Sequence, residues 1–180
     1  MNAASQPTPR YDSATILFHW LTVVLVVGQW IGAKTIDLWP RGELRADARS
    51  IHITFGVFLG LLLIVRIAWR LTRGQRLPEA ESGVLRILAQ GTHLALYTLL
   101  VATVIFGLAL VSVRHDSFFG MLTLPSWNTA PVELRHTIQH LHDFLATTLL
   151  VVAGLHASIA LLHRYVVGGN VLARMIPRLG

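Results

Sequence analysis

A chain of 180 residues that is 53% hydrophobic and only 13% charged, where soluble domains carry about 25% charged residues, excludes an ordinary soluble enzyme and reads as one membrane domain over residues 1–180. The absence of cysteine excludes disulfides, cysteine-ligated iron–sulfur clusters and covalent c-type haem attachment. The net charge of +6 could suggest nucleic acid, but its distribution along the chain excludes that reading.

Four segments, at about 14–33, 51–71, 92–113 and 138–163, are long enough to cross a hydrocarbon layer about 30 Å thick. They predict an all-α, integral membrane four-helix bundle with both termini cytoplasmic. The first run is too long for the apolar region of a cleaved leader, and Ile31-Gly32-Ala33-Lys34 is a poor cleavage site, so it reads as a retained anchor. The second span ends in Arg66, Arg70 and Arg73. After the third comes a semi-apolar loop, Phe118 to Trp127, expected to lie on the membrane surface. Pro131 is placed to open the helix that becomes the fourth span.

Charge sets the orientation. With both termini and the 72–91 loop on one side, that side collects Arg10, Arg66, Arg70, Arg73, Arg76, Arg86, Arg164, Arg174 and Arg178 against Asp12, Glu79 and Glu81. On the opposite side Lys34, Arg41, Arg45, Arg49, Arg114 and Arg135 are balanced by Asp37, Glu43, Asp47, Asp116, Glu133 and Asp143. The positive-inside rule assigns the first side to the cytoplasm.

The histidines sort by depth. His142 and His156 stand fourteen residues apart in the last span, so they share a helix face to within roughly 40° and lie about 21 Å apart along it. An apolar helix does not bury two imidazoles without giving them partners. A haem iron at each depth, completed by a histidine of another helix, is the economical partner. Topology puts His52 at the outer level with His142, and His19 at the inner level with His156, each pair bridging two helices as a bundle-core cofactor site requires. Met1, Met121 and Met175 all fall outside the spans, which leaves bis-histidine as the b-type ligation. With both axial positions filled, the chemistry favoured is electron transfer. His93 is the rival at the inner level: it could replace His19, or contact a haem propionate or a quinone. Arg66 lies where an uncompensated charge is expensive and is a candidate propionate contact. His163, at the membrane edge, would push the two centres to the extreme surfaces, and His115 reads as a solvated loop residue. Gly56 and Gly60 follow His52 on one face, as clearance for a macrocycle or as ordinary helix packing would both require.

Phe18-His19-Trp20-Leu21, Ile51-His52-Ile53-Thr54-Phe55-Gly56, Leu141-His142-Asp143, Gly154-Leu155-His156-Ala157, Leu162-His163-Arg164-Tyr165 and Arg174-Met175-Ile176-Pro177-Arg178 occur in that order. In these the chain resembles the bacterial cytochrome b561 family over essentially its whole length, and through it the cytochrome b subunits of hydrogenases and formate dehydrogenases. The resemblance implies two haem b groups held by His19, His52, His142 and His156. It also implies residence in the bacterial inner membrane, and electron transfer between a periplasmic-side donor, superoxide in some members, and the ubiquinone pool. Two other functions remain open to the sequence: a haem-bearing anchor relaying electrons for a soluble dehydrogenase partner, and a haem-free, histidine-rich transporter.

Overall fold

The computed structural model describes residues 9–78, 82–114, 116–119, 122–123 and 130–176. Asp12 caps the first helix, α1 (Ser13–Thr35), its carboxylate accepting from the Thr15 backbone N–H at 2.9 Å and the Thr15 hydroxyl at 2.7 Å. A 3-10 turn, Ile36–Leu38, leads to Gly42, whose φ of +123° suits only glycine, and the chain reverses into α2 (Glu43–Thr72). That helix closes where the backbone N–H groups of Arg73 and Gly74 both reach the Trp69 carbonyl, at 2.9 and 2.7 Å. α3 (Gly83–Arg114) runs back, and α4 (Val132–Tyr165) starts on Pro131 and ends the bundle. Between them Ser117–Phe118 (β1) and Leu122–Thr123 (β2) pair antiparallel, Ser117 opposite Thr123. This small hairpin is an addition to the all-α expectation. The rest of the loop expected on the membrane surface lies outside the described residues.

All four helices are long and apolar enough to cross a membrane, and they extend beyond the purely apolar segments. Their outward faces remain apolar: Val24, Ile64 and Phe144 are each 66% exposed, as a lipid-covered surface requires. Inside, the bundle is two helical hairpins, α1 with α2 and α3 with α4, joined chiefly along α2 and α3. Leu59, Leu63, Leu100 and Leu149 form the buried centre, with Val26 packed against it.

The first and last described residues and the described part of the α2–α3 connection meet at one end, called the terminal end. There the Tyr11 N–H donates to the Arg174 carbonyl at 3.2 Å, the Trp20 indole to the Met175 carbonyl at 2.8 Å, and Arg174 to the Pro78 carbonyl at 2.6 Å. Asp12 is the hub, also accepting from the Trp69 indole and the Gln75 N–H, each at 3.1 Å. Partial burial would raise its pKa, but the donors from Thr15, Gln75 and Trp69 outweigh burial and hold it at about 2, below the ordinary 3.8. The opposite, or far, end carries the α1–α2 turn and the β hairpin.

Candidate haem sites in the bundle core

A seven-residue step organises the interior. On α4 the residues are His142, Leu149 and His156; on α2, His52, Leu59 and Arg66; on α3, Gly107, Leu100 and His93; on α1, Ala33, Val26 and His19. Seven residues are nearly two helical turns, so each set stays on one face and steps about 10.5 Å along its helix. Because neighbouring helices run in opposite directions, the sets align as three layers. A leucine layer built on Leu59, Leu100 and Leu149 separates a histidine-bearing layer at the far end from another at the terminal end.

At the far end the rings of His52 and His142 face each other edge to plane, with centroids 6.3 Å apart. They line a cavity of about 350 Å³ walled by all four helices, within the range of roughly 300–1,000 Å³ typical of cofactor sites. His142 Nδ1 donates to the Thr103 carbonyl of α3 at 3.0 Å. That bond places the proton on Nδ1 and leaves the Nε2 lone pair for a metal. The His52 carbonyl accepts from Gln29 Nε2 of α1 at 2.8 Å. Two donors lining the cavity, His52 Nδ1 and the Trp30 indole N–H, are buried without a hydrogen-bond partner among the described residues. Buried orphans are rare inside proteins and costly at membrane depth. Opposed imidazoles, a prepared tautomer, cavity volume and orphaned polar atoms together fit a haem. At the mouth Asp116 stands between Arg49, at 3.3 Å, and Arg114, at 3.7 Å.

The terminal-end layer is built differently. Arg66 Nη2 donates to His19 Nδ1 at 3.3 Å, and its guanidinium lies over the Tyr97 ring, 5.2 Å from the centroid. His156 meets His93, with ring centroids 5.3 Å apart. His19, His93, His156 and Arg66 are close enough for their charges to interact. A cavity of about 90 Å³, lined by His93, Arg66, Arg70 and the aromatic rings of Tyr11, Phe18, Trp69 and Tyr97, opens beside them. His19 and His156 thus share a layer, while the direct ring partner of His156 is His93. The donor set of imidazoles and one guanidinium suits a haem with its carboxylates.

The sequence pattern of the prokaryotic cytochrome b561 family matches residues 10–178. The chain belongs to that family. This cytochrome is 32% identical over 176 residues to a protein of Yersinia pestis named probable superoxide oxidase CybB, covering 94% of this chain and 97% of that one. It is 28% identical over 173 residues to cytochrome b561 homolog 2 of Escherichia coli, covering 94% and 92%. To cytochrome b561 homolog 1 of the same organism it is 27% identical over 174 residues, covering 94% and 98%. Membership makes it a transmembrane, haem b-binding protein of electron transport.

Several residues that build the cytochrome's core carry no signal in a search for ligands. Thr103 acts through its backbone carbonyl and Gly107 through having no side chain. Gln29 holds the carbonyl of a histidine rather than its ring. The seven-residue spacing of His93, Leu100 and Gly107 is the signal that could have shown which face of the third helix meets the histidine layers. The other histidines fall aside: the His163 ring packs on Gly169 near the end of the chain, and His115 lies outside the described residues.

Proposed function

We propose that this cytochrome carries two haem b groups, one per histidine layer, and passes electrons across the bacterial inner membrane. The donor lies on the periplasmic side and the acceptor is the quinone pool, ubiquinone in the first instance. The carrying observation is the pair of histidine layers on opposite sides of a leucine layer, with His142 and His156 about 21 Å apart on one helix. His52 and His142 would hold the group at the far end. His156 with His19 would hold the other, His93 being the alternative to His19. A bound haem supplies reversible one-electron chemistry at each depth. The protein's part is to fix the imidazole tautomers, keep water from the leucine layer and neutralise carboxylates through Arg66 at one end and Arg49 and Arg114 at the other. The excess of arginine at the terminal end supports a cytoplasmic assignment for it, and hence a periplasmic far end.

The far-end cavity is lined by three cations, Lys34, Arg49 and Arg114, and three carboxylates, Asp37, Asp116 and Asp143, so net charge there does not select the donor. The relative named a probable superoxide oxidase supports superoxide as that donor. The test is the purified single chain in lipid. Its pyridine-haemochrome spectrum should give two haem b per chain, and superoxide should reduce ubiquinone through it. Reduction that depends on an added soluble dehydrogenase would make the chain an anchor subunit, and absence of haem would leave the transporter reading.

A further inference from the structure

We propose that Gly107 is a positioning residue for the far-end axial histidine: by carrying no side chain it opens the Thr103 carbonyl of α3 to the ring of His142, which is thereby fixed in tautomer and plane. The inference rests on His142 being a haem ligand, as proposed above.

In a helix the carbonyl of residue 103 already accepts the N–H of residue 107, its partner four positions on. A carbonyl oxygen has a second lone pair, but the side chains of the following turn usually screen it from a neighbouring helix. Here the residue four positions on is glycine. The His142 ring lies in the space its side chain would fill: a Cβ at position 107 would stand 3.0 Å from His142 Cε1 and 3.3 Å from Nδ1. The Nδ1–H reaches the Thr103 oxygen at 3.0 Å. α2 uses the same device. The His52 carbonyl is followed four residues later by Gly56, whose Cβ would stand 3.0 Å from Gln29 Nε2, the group that donates to that carbonyl at 2.8 Å. Not every helical glycine is so used: a Cβ at Gly28 or Gly154 meets nothing within 4 Å. A Cβ at Gly60 would meet the Val104 side chain at 3.0 Å, which is ordinary close packing; at 56 and 107 the clearance serves a group that donates to the carbonyl four residues back.

A hydrogen bond from the distal ring nitrogen to a carbonyl orients an axial histidine and raises its basicity. A more basic ligand favours ferric iron, so this bond lowers the potential of the group it serves. α3 would thus tune the far-end centre without offering it a ligand.

The test is Gly107→Ala in the full-length protein, with Gly154→Ala as the control, each titrated potentiometrically and examined by low-temperature EPR. The expected result is a rise in one of two midpoint potentials and a changed low-spin signal for that haem, the other haem being unmoved. Retention of the affected haem should weaken by roughly 10- to 100-fold. Both potentials and both signals unchanged in Gly107→Ala would overturn the proposal. If Gly107→Ala does not accumulate, the double variant Gly107→Ala/His142→Ala decides. With the ring gone the methyl has room, so accumulation with the same haem content as His142→Ala alone is the expected result. Failure of the double variant as well overturns the proposal. The underlying ligand assignment fails separately, if His142→Ala by itself keeps both haems.

Discussion

The two ends of the bundle use the same residue types to different effect. At the far end the histidines are tied to backbone: His142 through the Thr103 carbonyl, and His52 through its own carbonyl to Gln29. Three far-end arginines pair with acids, Arg49 and Arg114 with Asp116 and Arg45 with Asp37. At the terminal end one histidine is met by an arginine and another by a third histidine, while two arginines lie over aromatic rings, Arg66 over Tyr97 and Arg70 over Tyr11. Among the described residues of that end, the acid Asp12 serves N–H groups of α1, α2 and the following loop. A carbonyl-bound imidazole is a prepared ligand. An imidazole accepting from a guanidinium at Nδ1 keeps its proton on Nε2, so if His19 is a haem ligand as proposed, Arg66 would have to release Nδ1 on binding. If each layer holds a haem as proposed, the terminal end is the one whose side-chain contacts would have to change on binding.

The strongest way to break this contrast is to delete one histidine from each end. His142→Ala should abolish the far-end haem and His156→Ala the terminal-end haem, each variant purifying with half the haem-to-chain ratio of the parent. Loss of both haems from either variant would show that the two layers do not load independently. Next in size is the choice within the terminal layer. His19→Ala should lose the same haem as His156→Ala, whereas His93→Ala should keep it with altered spectra; the reverse outcome makes His93 the ligand.

A smaller effect sharpens the electrostatic side of the comparison. Arg66→Met removes a cation that favours the added electron, so the terminal-end midpoint should fall by the order of tens of millivolts, with the far-end midpoint unmoved. Redox titration of the two haems reads this directly. The smallest effect concerns stability. The Asp12 pKa is depressed, so its contribution is complete above the ordinary value of 3.8 and is lost as pH falls through about 2. Asp12→Ala should cost about 1 kcal/mol at pH 7, given its partial exposure to solvent. Thermal unfolding in detergent should show the parent and the variant converging as pH falls from 4 towards 2 (approximate bounds set by the two pKa values).

Much of the fold is legible in the sequence because lipid imposes a simple rule: long apolar runs become helices. The rule sees only the hydrocarbon portion, so it misses the first turns of α2 from Glu43 and of α3 from Gly83, which continue as helix beyond it, whereas Pro131 marks the start of α4 in the sequence. It also misses the two-residue strands at Ser117 and Leu122, too short to carry an alternating pattern. That His52 and His142 come together is readable from depth alone. That Arg66 reaches His19, and that the ring touching His156 belongs to His93, depends on how far α3 and α1 are rotated about their axes, which packing decides. The fourteen-residue spacing of His142 and His156 is also present between His52 and Arg66 and between His93 and Gly107. Read on three helices rather than one, it would have located Arg66 and Gly107 in the histidine layers.

The doubly bonded carbonyl separates the residue that makes a contact from the residue on which the contact depends. The bond to His142 belongs to position 103, yet every amino acid has the same backbone oxygen and any that the helix tolerates would supply it, so Thr103→Ser or Thr103→Val should be silent. Position 107 makes no bond to the ring, yet even a methyl group there would press on it, at 3.0 Å from Cε1. A saturation scan of α3 would therefore find tolerance at the partner and intolerance one turn away, and a reader of such data looking for side-chain chemistry would assign the constraint to helix packing.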